Sequence, residues 1–126
     1  MSLIRCLIIA VTALWLASCA VEPVHNRYQL PADEPQPGES AIAELQARAR
    51  QALAGGDYRL AIEYLQRAIR IEPRNPHSWH YLGETYRASG DYRRCIEMVD
   101  RSFSYSEEGS ELDAPNRRLR QICQSG

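Results

Sequence analysis

Lysine is absent: all 15 basic side chains are arginine, set against 16 acidic ones for a formal net charge of −1. A near-neutral chain lacks the basic footprint that nucleic-acid binders use to displace counterions, so no nucleic-acid partner is expected. Without lysine, the pair Gly55-Gly56 cannot lead into a Gly-Lys-Ser/Thr phosphate cradle and reads as a helix break. The four cysteines are not spaced as the paired ligands of a zinc module. There is no Gly-x-Ser-x-Gly elbow, and no Ser or Cys has a candidate base at motif spacing. The acidic pair Glu107-Glu108 reads as solvated loop charge rather than a glycosidase dyad. At 126 residues the chain is also too short for a doubly wound sheet or a TIM barrel. These absences point to a non-enzyme with no cofactor and no small-molecule substrate.

What is present divides the chain into three. Arg5 precedes an apolar run of 11 residues from Cys6 to Leu16, well short of the roughly 20 needed to span a bilayer. The run meets Leu16-Ala17-Ser18-Cys19, where two small residues suit a peptidase cleft. This arrangement resembles the lipobox of bacterial lipoproteins, which implies removal of residues 1–18 and lipidation of Cys19, with palmitate among the acyl chains. Each buried CH₂ contributes about 0.8 kcal/mol, so such an anchor is effectively permanent. Ala20 and Val21 follow, with no Asp after the anchor. By resemblance to enterobacterial sorting, that places the protein on the periplasmic side of the outer membrane of a Gram-negative cell. Residues 19–40 hold four of the seven prolines and read as a linker, because proline removes amide donors and favours extended chain.

Residues 41–126 read as one all-α domain. At an offset of 34, residues 42–75 and 76–109 share eight identities, including Gly56-Asp57-Tyr58-Arg59 against Gly90-Asp91-Tyr92-Arg93. A period of this length signals stacked supersecondary units. Trp79, Leu82, Gly83 and Tyr86 fall at i, i+3, i+4 and i+7, one face of a helix. Tyr92, Cys95, Ile96, Val99 and Phe103 repeat that spacing, as do Tyr58, Ala61, Ile62, Leu65 and Ile69 in the first unit. Asp57 and Asp91 are natural N-caps, each after a glycine that can take the left-handed turn conformation. Each unit is therefore two helices. A last segment, with Asp113 as expected N-cap and Leu119, Ile122 and Cys123 on its apolar side, supplies a fifth helix that caps the stack.

These residues closely resemble the tetratricopeptide repeat family. The second unit carries Trp79, Leu82, Gly83, Tyr86, Gly90 and Tyr92, with Cys95 where the family usually has Ala; the first carries Gly56, Tyr58, Ala61, Leu65, Ala68 and Pro73. The resemblance implies a short α-solenoid of two repeats plus a capping helix. It also implies that the first helices of successive repeats line a concave groove for a partner protein. On matching positions that groove comprises Gln46, Arg50, Leu53, His77, His80, Tyr81, Glu84, Arg87 and Arg118; helical spacing turns His77, His80, Tyr81, Glu84 and Arg87 away from the stripe of Trp79, Leu82, Gly83 and Tyr86. His77, His80 and Glu84 also share spacing that could serve a metal; a polar groove face gives the same pattern, and no metal is expected. In an oxidising periplasm Cys95 and Cys123 lie level if their helices run antiparallel, and can form a disulfide. Two small buried thiols that never meet are the alternative.

In plan, with lipid anchor, Pro-containing linker, small repeat body and Arg-rich last helix, the chain is similar to outer-membrane lipoproteins that activate bifunctional penicillin-binding proteins. An envelope protein of that kind is the expected partner, reached from the membrane through the lipid. The alternatives are a pilotin or pilus- or secretion-assembly lipoprotein, and an accessory protein of peptidoglycan turnover.

Overall fold

The computed structural model describes residues 37–126. The leader, Cys19 and most of the linker therefore lie outside the described residues. Five helices follow one another: α1 (Pro37–Ala54), α2 (Tyr58–Ile71), α3 (Pro76–Ala88), α4 (Tyr92–Tyr105) and α5 (Asp113–Ser125). Among the described residues there is no strand, and no helix is long and apolar enough to cross a membrane.

The first helix starts four residues inside the stretch expected to be linker. Proline is tolerated in the first turn of a helix, where its missing N–H would have no intrahelical partner. Pro37 occupies that place. The internal breaks follow the sequence closely. Gly56 and Gly90 take φ of 78° and 82°, and Asp57 and Asp91 then cap α2 and α4 by accepting from the amides of Leu60 and Arg94. α3 opens differently: Asn75 accepts from the Ser78 amide and Pro76 takes the first turn. α5 departs from expectation. Leu112 occupies its N-cap position without a side-chain cap bond. Asp113 is the first helical residue, and its carboxylate accepts from the Gly109 amide at 2.6 Å, closing the preceding turn.

Contacts fix the helix directions. Asn116 meets Ser102, Arg120 meets Asp100 and Cys123 meets Cys95; as α5 advances its partners recede, so α4 and α5 are antiparallel. By contrast His80 meets Asn116 and Gly83 meets Leu119, so α3 and α5 run parallel. A Cβ built on Gly83 would lie 3.0 Å from Val99 Cγ2 and 3.4 Å from Leu119 Cδ2. The missing side chain is what lets α4 and α5 both close on α3.

The apolar core runs along the stack. Ile42, Leu45 and Ala68 join α1 to α2; Ala49, Leu65 and Leu82 join the two units, with Trp79 and Tyr86 packed against them. Cys95, Val99, Leu119 and Cys123 join α4 to the capping helix. Cys95 and Cys123 are bonded to each other, with Cα atoms 6.2 Å apart. A loop of this size, 28 residues apart in sequence, stabilises a fold by about 3.5 kcal/mol in the chain-entropy account.

Candidate partner-binding cleft

Stacking sets α1, α3 and α5 side by side. An offset of 34 residues repeats Arg50 as Glu84 and again as Arg118, one register on three successive helices. Between α3 and α5 lies an open cleft of about 580 Å³, a size in the range of about 300–1,000 Å³ common to ligand sites. His80, Glu84 and Arg87 line it from α3, and Ala114, Pro115, Arg118, Leu119 and Ile122 from α5.

The polar wall is set by a chain of hydrogen bonds whose direction can be read from its far end. The Pro76 carbonyl can only accept, so the Ser102 hydroxyl donates to it, at 2.9 Å. Ser102 Oγ therefore accepts from Asn116 Nδ2, at 2.8 Å. That orientation turns Asn116 Oδ1 towards His80 Nδ1 at 2.7 Å, which must carry its proton. The other ring nitrogen, Nε2, lies 3.7 Å from a Glu84 carboxylate oxygen and completes an ion pair when it too is protonated. Burial alone would lower the His80 pKa. The Glu84 carboxylate beside it and the Asn116 bond outweigh burial and hold it above the usual 6.5. In turn the His80 ring holds Glu84 below its usual 4.5 against the cost of desolvation, with the charges of Arg87 and Arg50 adding to the effect.

Of the residues expected to form a groove, His80, Glu84, Arg87 and Arg118 meet in this one cleft. Arg50 and Tyr81 flank it, the guanidinium 5.4 Å from the ring centre. Three others fall elsewhere or serve other ends. Gln46 donates to Asn75 at 3.2 Å and to Ser78 at 2.9 Å, so it ties α1 to the next unit. Leu53 is half-buried near the end of α1 and does not line the cleft. His77 pairs with Glu111 at 3.2 Å and lines a separate depression of about 220 Å³ with Tyr105 and Leu112.

His80 corrects the expectation of an outward-facing histidine. It is only 7% exposed, because α5 lies over it and presents Asn116. The two histidines turn to different partners, and among the described residues no group of three or more His, Cys, Asp or Glu is placed to hold a metal ion. Asn116 itself had a legible signal: it stands 34 residues after Leu82, a polar side chain in a core register.

The tetratricopeptide repeat family model matches residues 52–104, from the end of α1 almost to the end of α4. Residues 52–104 thus match a tetratricopeptide repeat, and the five helices of the described residues are consistent with a short all-α solenoid of that kind. No curated protein matches it. Such repeats serve in general as non-catalytic scaffolds for protein–protein interaction.

Proposed function

We propose that this tetratricopeptide repeat protein is a lipid-anchored adaptor of the bacterial envelope that holds a protein partner in the cleft between α3 and α5. The observation that carries the reading is the pair of arginines at the cleft. Arg87 and Arg118 are exposed, and neither takes part in the ion pairs found among the described residues. Arginine is the side chain most suited to anchoring an interface, since its planar fork makes paired hydrogen bonds while its stem buries area.

The sequence features at the N-terminus support anchoring through Cys19 on the periplasmic side of the outer membrane. The overall plan favours a peptidoglycan synthase of the bifunctional penicillin-binding class as partner. Metabolic labelling with palmitate tests the anchor: the wild-type chain takes label and Cys19→Ser does not. Cross-linking in intact cells tests the cleft. Arg87→Glu and Arg118→Glu are expected to lose the cross-linked partner while helical content and melting temperature stay unchanged. Normal capture by both variants contradicts the assignment of this face.

A further inference from the structure

Resting on that reading, we infer that the cleft takes a peptide segment in which an acidic side chain stands beside an aliphatic one. The charges at the cleft are unequal in their freedom. Its one carboxylate, Glu84, is engaged from within by His80 and is held ionised by the cations around it. Arg87 and Arg118, on opposite walls, form no ion pair among the described residues, and the one acid near Arg87, Glu84, is already engaged by His80. Arg50 adds a third positive charge at the rim, close enough to act on Glu84 and with its guanidinium 5.4 Å from the Tyr81 ring centre. An anionic side chain entering here meets two forked donors, and a cationic one meets repulsion with no free acid to offset it.

Charge alone would fit any anion. The apolar wall narrows the choice: Ala114, Pro115, Leu119 and Ile122 face the same space. Ile122 is 41% exposed; with Ala114 and Pro115, also exposed, it forms the apolar part of a helix surface otherwise made of Arg117, Arg118, Arg120, Gln121, Gln124 and Ser125. An exposed isoleucine one helical turn from Arg118, which forms no ion pair among the described residues, calls for an aliphatic partner next to an acid. A free phosphate or a lipid headgroup satisfies the arginines and leaves Ile122 uncovered; a peptide covers both.

The test selects dodecapeptides from a phage-displayed random library against the full chain, with an Arg87→Glu/Arg118→Glu double variant as counter-target. Both arginines are exposed and form no ion pair among the described residues, so the variant is expected to keep its fold, checked by circular dichroism. The expected selection is rich in Asp or Glu adjacent to Leu, Ile, Val or Phe. A synthetic peptide of that kind should bind at least about tenfold more weakly once a charge-assisted contact is lost in Arg118→Glu. Ile122→Ser should weaken it while leaving weak binding of inorganic phosphate unchanged. Neutral or basic peptides that still lose binding in the double variant overturn the acidic-aliphatic chemistry and leave partner binding in place. Acidic peptides displaced by inorganic phosphate and indifferent to Ile122→Ser reduce the cleft to an anion site and also overturn it. A library that yields no peptide preferring wild type to the double variant contradicts both this inference and the function it rests on.

Discussion

The two seams that hold the stack together begin from the same register and end differently. Gln46 and His80 stand 34 residues apart, and each reaches from one unit's first helix to the next. At the first seam Gln46 bonds Ser78 and Asn75, neutral groups at a half-buried edge. At the second, His80 bonds Asn116, which continues to Ser102 in a fully buried position, and a disulfide lies behind it. A repeat with one geometry has thus produced a neutral seam and a titratable, covalently closed one. The second needs the reinforcement, because a capping helix of 13 residues has a neighbour on one side only and little apolar area to contribute.

The two seams differ most at the disulfide. Replacing both Cys95 and Cys123 by Ala should destabilise the domain by about 3.5 kcal/mol. In hydrogen exchange the loss should be concentrated in α5, with α1 and α2 keeping their protection; uniform loss along the stack would mean the seams are not independent. Next in size is Asn116→Ala, which leaves the buried His80 Nδ1 proton without its acceptor and removes the bond that Ser102 Oγ accepts while Ser102 keeps its own to Pro76, a loss of about 2–3 kcal/mol. Gln46→Ala at the matching seam removes half-exposed bonds and should cost about 1 kcal/mol in the same denaturation experiment. Equal effects would erase the distinction drawn between the two.

The smallest effect is the most specific. His80 has its pKa raised on folding, so its contribution to stability is fully present below 6.5 and is lost as pH rises through the folded value. Glu84 has its pKa lowered, so its contribution is present above 4.5 and is lost as pH falls through the folded value. The second seam is therefore strongest in the mildly acidic window between them. His80→Gln, which copies the first seam, should abolish the decline on the alkaline side. A melting temperature that falls equally in the variant would assign the dependence to other groups.

Much of the fold was legible because its signals are local or periodic. Asp57 and Asp91 after glycine fix helix starts wherever they occur, and the 34-residue offset needs only two copies to be seen. The level placement of Cys95 and Cys123 follows from antiparallel packing alone. The site was less legible, since groove positions say which way a helix face points but not what lies over it. His80 occupies such a position, yet α5 covers it. That could be read only by treating Asn116 as the core residue of a third unit whose other signature positions are missing. Gln46 was hidden for a related reason: its partners, Asn75 and Ser78, belong to a helix cap, where side-chain oxygens are already directed along the chain.

The working surface claimed for this protein is the concave one, and a photoreactive side chain placed on each face tests that directly. Introduced at Ile122 in the cleft and separately at Arg93, which lies exposed on α4 with its side chain 88% accessible, the group is activated in intact cells. The account predicts one discrete adduct from position 122, absent when Arg118→Glu is combined with it, and none from position 93. An adduct from position 93 with none from position 122 would place the partner on the opposite face and contradict it.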